Sequence, residues 1–157
     1  MGLPRAFVGF SSTDIGCFRL MKAWKANTKF DFNFADFQIE KAINSENEEY
    51  IKGLIRKRIN MSGTFISLIG ADTKSKHKFV RWEMEVALEK NCRIIGVNLN
   101  GSRNFDNVRC PPILKNKGVV FLPFSPNIIA YALENFQKKE EGNLVYKDSV
   151  YRELGYE

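Results

Sequence analysis

The chain has 157 residues, 44% of them hydrophobic, which is close to the usual size of one domain and enough for one sizeable core. Its sequence contains no run of about 18 apolar residues of the kind that crosses a membrane, so we expect a cytoplasmic protein without a membrane partner. The formal charge of +6 is spread over several segments and comes with no recognisable nucleic-acid module. Nucleic acid is therefore not favoured as a partner.

The first half of the chain alternates predicted strands and helices. A buried strand over 5–10 is followed by a polar cluster at 11–14 and by a helix that extends to about Asn27. Alternating phenylalanines predict a second strand over 30–37. Ser45 and Glu48 have the spacing of a capping box, which predicts the start of the next helix.

The second half continues this alternation. Strands are predicted at 64–69, 92–99 and 119–122, and the segments at 70–78 and 100–117 are predicted loops. One helix is predicted around Glu83, and another starts at Ser125 and Pro126. The tail from 140 could form one short docked helix.

The order of elements predicts an α/β fold with a flavodoxin-like, three-layer sandwich. We expect a five-stranded parallel sheet of order 2-1-3-4-5 with helices on both faces, in a domain over 1–139 that is followed by a tail over 140–157. The switch point of that order lies between strands 1 and 3, and ligands bind there beyond the carboxyl ends of the strands. The loops at 11–14 and 70–78 should flank this crevice, and the segment around 36–42 should form a neighbouring wall.

Glu83 interrupts the apolar stripe of its predicted helix. At about 100° per residue, Glu83 falls in the middle of that stripe, whereas Glu85 and Glu89 fall with Arg81 on the opposite side. The stripe is formed by Phe79, Val80, Val86 and Ala87. Because burying a carboxylate is costly, either a neighbouring loop amide satisfies Glu83 or the protein uses it for chemistry. We also predict that desolvation raises its pKa.

Metal chemistry and histidine-based catalysis have little support. Cys17, Cys92 and Cys110 lack CxxC spacing, and His77 is the only histidine in the chain. We therefore predict no metal site and no disulfide framework.

Three short motifs resemble those of the TIR-like (Toll/interleukin receptor-like) family, which includes anti-phage defence proteins of the Thoeris type. They are Phe-Val-Gly-Phe-Ser at 7–11, Ile-Ser-Leu-Ile-Gly-Ala-Asp-Thr at 66–73 and Phe-Val-Arg-Trp-Glu-Met at 79–84. The resemblance covers roughly residues 5–137.

The resemblance implies an NAD-cleaving enzyme with Glu83 as its catalytic residue. Catalytic members carry an aromatic residue, usually Trp, four positions before this Glu, and here the aromatic residue is Phe79, which keeps a flat apolar wall but lacks the indole N–H. By resemblance, NAD is the substrate and no separate cofactor is needed. A phage-derived trigger would start self-assembly and activity, and a cyclic or modified ADP-ribose signal would activate a downstream effector.

Other side chains are candidates for binding NAD. The full set is Phe10, Ser11, Ser12, Asp36, Phe37 and Phe79. The aromatic rings could stack on nicotinamide or adenine, and the serines could contact phosphate or ribose at a helix start, while Asp36 matches an acidic position that follows the second strand in the family. Phe10 could equally pack in the core, and Phe37 could anchor a loop. Asp72 and Thr73 are expected to cap the following turn.

Three alternative functions remain open at this point. The first is a non-enzymatic TIR-type interaction module that assembles through 36–42 and its helices. The second is a nucleoside ribosyltransferase-like enzyme, which also uses a Glu. The third, nucleic-acid binding, rests on charge alone.

Overall fold

Strands and helices alternate along the chain in a computed structural model that describes residues 2–35, 47–60, 62–76 and 78–156. The strands are β1 (Ala6–Gly9), β2 (Phe34–Ala35), β3 (Thr64–Ile69), β4 (Arg93–Asn98), β5 (Val119–Pro123) and β6 (Asn143–Val145). The α-helices are α1 (Ile15–Asn27), α2 (Glu48–Ile59), α3 (Phe79–Glu89), α4 (Pro126–Asn135) and α5 (Asp148–Glu153).

All six strands pair in parallel, in the order β2-β1-β3-β4-β5-β6. The predicted α/β class and the order 2-1-3-4-5 are confirmed, but the sheet has six strands rather than five within the described ranges. The added strand, β6, pairs with β5 through Asn143 opposite Val119. The sequence did not predict β6 because three residues are too few to show a periodic pattern. The short helix envisaged in the tail has its counterpart in α5.

Two hydrophobic clusters lie on opposite faces of the sheet. The first core is formed by α1, α4 and one face of the strands, and it includes Trp24 and the fully buried Tyr151 of α5. The second core is formed by α2, α3 and the other face, and it includes Trp82. The predicted three-layer arrangement follows from these two cores.

The second strand begins later than the phenylalanine alternation predicted, at Phe34 rather than at Phe30. Within the described part of this segment, Phe34 and Ala35 pair with β1, whereas Phe32 is buried in the first core. Its ring stacks on Phe34 at a centroid distance of 4.9 Å and meets Trp24 at 5.9 Å. The alternation therefore reflects an aromatic cluster beside the sheet more than strand pairing.

Two helix starts differ in detail from the predicted caps. Ser45 lies outside the described residues, and the side chain of Asn47 caps α2 by accepting a hydrogen bond from the amide of Tyr50 at 3.1 Å. Ser125 precedes α4 as predicted, but its hydroxyl makes no capping bond to that helix. It bonds instead to the Tyr156 hydroxyl, which accepts the N–H of Ile128 at 3.1 Å.

A membrane-spanning helix would need greater length and a more apolar composition than any helix has in the described ranges.

Candidate functional site

The candidate site lies at the carboxyl ends of β1 and β3, the neighbouring strands at the switch point of the sheet. The β1–β3 pairing ends at Gly9 opposite Ser67. Beyond it, the chain forms a loop with a single 3-10 turn at Ser12–Asp14 on one side and one at Thr73–Ser75 on the other. The second loop leads into α3, so the topology brings Glu83 close to the crevice.

Glu83 is buried on the inner face of α3, with 5% of its surface exposed. Gly9 of β1 lies against it, since a Cβ added to Gly9 would be 3.4 Å from Oε1 of Glu83 and 2.6 Å from Cζ of Phe65. The carboxylate is therefore held between its helix and the end of β1, with an aromatic ring beside it. The burial predicted from helix periodicity is confirmed, whereas the catalytic role and the raised pKa stay predictions.

Glu85 and Glu89 project to the other side of α3 and pair with α2. Glu85 accepts hydrogen bonds from Lys52 and from Arg81, and Glu89 accepts two from Arg56 at 2.6 and 3.0 Å. Burial opposes ionisation of Glu85, but the bonds from Lys52 and Arg81 outweigh it and lower its pKa. The bond from Arg56 lowers the pKa of Glu89. Both acids therefore act as ion-pair partners where α3 packs on α2.

The aromatic candidates that the structure describes are engaged in packing. Phe10 stacks on Phe18 of α1 with ring centroids 4.6 Å apart, as its core-packing alternative anticipated. Phe79 is half-buried at the start of α3 and packs against the second core. Their contacts with NAD stay predictions. Asp36 and Phe37 lie outside the described residues.

The two serine candidates have different environments. Ser11 is fully buried, and its hydroxyl accepts a hydrogen bond from the amide of Thr13 at 3.3 Å. Ser12 is exposed at the start of the 3-10 turn. Ser11 therefore shapes the loop after β1, while Ser12 presents its hydroxyl to solvent at the mouth of the crevice.

We expected Asp72 and Thr73 to cap the following turn, but neither does so through its side chain. Asp72 precedes its 3-10 turn without a capping bond and instead accepts a hydrogen bond from Oγ1 of Thr13 at 2.8 Å. The Thr73 hydroxyl bonds backward, to the amide of Gly70 at 2.9 Å and to the carbonyl of Leu68 at 3.2 Å. Asp72 thus joins two loops, and Thr73 stabilises the end of β3.

Asp14 is a further acid at this end of the sheet that the sequence analysis treated only as part of a polar cluster. Its carboxylate packs against Gly70, at a point where a Cβ on residue 70 would overlap it. One oxygen, Oδ2, is buried and has no hydrogen-bond partner in the part of the chain that the structure describes. Burial raises the pKa of Asp14, as does the charge of Asp72, while Arg109 opposes both. No sequence pattern links residues 14 and 70.

The cysteine thiols are poorly suited to nucleophilic chemistry. Burial raises the pKa of Cys110 to about 12 and also raises the pKa of Cys92 and of Cys17. Because the thiolate is the reactive form, these groups are largely unreactive at neutral pH. The chemistry that the described site can offer is that of a buried carboxylate, Glu83, with the ring of Phe65 beside it.

Comparison with known proteins adds one finding. A family model described as the TIR-like domain of the Thoeris protein ThsB matches residues 7–104. The match includes β1, β3, α3 and Glu83, and it ends before β5. No curated protein matches the chain.

Proposed function

Since the chain belongs to the TIR-like domain family of the Thoeris protein ThsB, we propose that it cleaves NAD in anti-phage defence. The bond broken is the one between nicotinamide and ribose, and Glu83 is the catalytic residue. The family membership associates the chain with Thoeris defence, and the site geometry supports the reaction.

The burial of Glu83 against Gly9 is the observation that carries this proposal. Of the three acidic residues of α3, Glu83 is the one that lies almost fully buried. It lies at the switch point of the sheet, which is where open α/β sheets bind their ligands. A carboxylate buried in such a position is a candidate for function on physical grounds.

Cleavage of NAD suits a site with one carboxylate. As the bond breaks, its electron pair returns to the nicotinamide ring, which leaves as a neutral molecule, and positive charge develops on the ribose as in glycoside cleavage. A preorganised anion in a site that excludes water stabilises that charge. Water or a hydroxyl of the substrate then attacks the anomeric carbon and loses its proton.

The nucleophile decides which product forms. Attack by water releases ADP-ribose, whereas attack by a substrate group gives a cyclic or conjugated form. We propose that a cyclic or modified ADP-ribose is the signal, that a phage-derived trigger and self-assembly of the domains switch on its production, and that it activates a downstream effector.

The proposal is tested with purified protein and NAD, and with extracts of phage-infected cells, by mass spectrometry of small molecules. Glu83→Gln should reduce nicotinamide release by at least about a hundredfold, because the amide cannot stabilise the developing cation. Glu89→Gln is a matched control on the same helix, where only a surface ion pair is lost, and it should retain activity.

Phage plaque counts on cells with the same variants, and incubation of the protein with nucleosides, separate the alternative functions. Full defence with Glu83→Gln would favour the non-enzymatic interaction module and contradict the proposal. Consumption of nucleosides, but not of NAD, would favour the ribosyltransferase-like reaction. A new nucleotide seen with wild type and with Glu89→Gln, but not with Glu83→Gln, would support the proposal and identify the product.

A further inference from the structure

Asp72 connects the two loops that flank the crevice. Its Oδ2 accepts a hydrogen bond from Oγ1 of Thr13 at 2.8 Å, across 59 positions of sequence. Ser11, in the same loop as Thr13, helps to lower the pKa of this carboxylate. No local turn requires such a bond, since Asp72 does not cap its own 3-10 turn.

The surroundings of Asp72 keep its carboxyl group ionised. The hydrogen bond from Thr13, helped by Ser11 and by Lys76, lowers the pKa of Asp72 despite the opposing effect of burial. The Lys76 ammonium lies 3.6 Å from Oδ2. The carboxylate is therefore ionised at neutral pH and is a strong acceptor for the Thr13 hydroxyl.

The bond closes a ring of contacts that includes Glu83. From Gly9, which lies against Glu83, the chain continues to Thr13. From Asp72, the chain continues into α3 and reaches Glu83. Because the β1–β3 pairing ends at Gly9 and Ser67, the Asp72 bond joins the loops beyond that point, together with the packing of Asp14 on Gly70.

We propose that Asp72 is a positioning residue for the cleavage of NAD, acting through Thr13 to hold the loop after β1 at a set distance from Glu83. This inference rests on the proposed function. Asp72 does not touch the reacting atoms. By fixing the loop, it keeps Ser12 and the neighbouring amides where they meet the substrate, and small displacements of such groups have large effects on catalysis.

The test is a double-mutant cycle of Asp72→Ala and Thr13→Val, with the Michaelis parameters for NAD as the readout. Each single variant should raise KM about tenfold, as expected for loss of one hydrogen bond to a charged group, with a smaller change in kcat. The double variant should be no worse than either single one, because both remove the same bond. Asp72→Asn keeps an acceptor oxygen, so its KM for NAD should be close to that of the wild type.

Controls distinguish positioning from a general loss of structure. Asp31→Ala removes a surface acid that forms an ion pair with Lys25 and should leave KM unchanged. If Asp72→Ala does not fold, Thr13→Val decides the question. An unchanged KM in the folded variants, or additive effects in the double variant, overturns the positioning role while the wild type remains active. A wild type that does not consume NAD overturns the proposed function and this inference with it.

Discussion

At the scale of single residues, the missing side chain of Gly9 leaves space for the ring of Phe65 and the carboxylate of Glu83. The ring of Phe65 occupies the space where a side chain would begin, and a carboxylate oxygen of Glu83 lies next to it. A residue without a Cβ allows this close approach to the backbone of β1. The position of Glu83 therefore depends on a strand residue that has no functional group of its own.

Replacing Gly9 by Ala should affect both stability and activity. The new methyl group would overlap Phe65, which is an overpacking change of about 2 kcal/mol in the free energy of unfolding, and displacement of Glu83 should lower NAD cleavage. Urea unfolding and nicotinamide release measure the two effects. In Gly53→Ala, within α2, the added Cβ has no neighbour within 4 Å among the residues that the structure describes, so this control should be slightly stabilised. Similar behaviour of the two variants would contradict the argument.

Asp14 should make the stability of the protein dependent on pH. Its pKa is raised above 3.8 by burial and by Asp72, so the native state binds this proton more tightly than the unfolded chain does. The resulting stabilisation is complete below pH 3.8 and is lost as the pH rises through the native pKa. Asp14→Asn should therefore unfold at higher urea than wild type at pH 7, and the difference should shrink as the pH falls. A variant that is less stable than wild type at neutral pH would refute this.

At the scale of elements, the C-terminal segment completes a helix that is distant from it in sequence. The hydroxyl of Tyr156 accepts the Ile128 N–H that the Ser125 side chain would otherwise take. The side-chain amide of Asn127 donates to the carbonyl of Leu154 at 3.3 Å. The guanidinium of Arg103 lies over the Tyr151 ring at 4.3 Å. The start of α4 and the end of the described chain therefore stabilise each other.

Tyr156→Phe should weaken this arrangement without removing the aromatic ring. Loss of the hydroxyl leaves the Ile128 N–H without its acceptor, and the cost should resemble that of losing a helix N-cap, about 1 kcal/mol. Thermal unfolding followed by circular dichroism measures it. Tyr50→Phe, at a tyrosine that is 54% exposed, is the matched control and should change little. Equal melting temperatures for both variants and wild type would show that the hydroxyl contributes no stability.

Sequence patterns predicted where helices and strands lie better than they predicted which distant residues cap or pair with them. The pair Ser125-Pro126 predicted the start of α4 correctly, yet the group that caps this helix belongs to Tyr156, 28 positions after the Ile128 amide that it binds. Local rules for capping consider neighbouring residues only, so they could not supply Tyr156. The three-residue strand β6 was missed for a related reason, since its existence depends on pairing with β5.

At the scale of the whole molecule, alternation of strands and helices was sufficient to predict the parallel sheet and the order of its first five strands. The helix phase was sufficient to predict that Glu83 is buried. The bond between Asp72 and Thr13 and the packing of Asp14 on Gly70 were beyond reach, because they form between loops that the sheet brings together. Periodicity describes what faces a core, whereas contacts between loops require the assembled tertiary structure.

The two cores can be monitored separately by tryptophan fluorescence. The chain has two tryptophans, and the structure places Trp24 in the first core and Trp82 in the second. Indole emission from each side of the sheet can therefore be recorded separately once the other tryptophan is replaced by phenylalanine. Because Trp82 is adjacent to Glu83 in the chain, its fluorescence is a natural spectroscopic reporter of events at the crevice, with Trp24 as an internal reference.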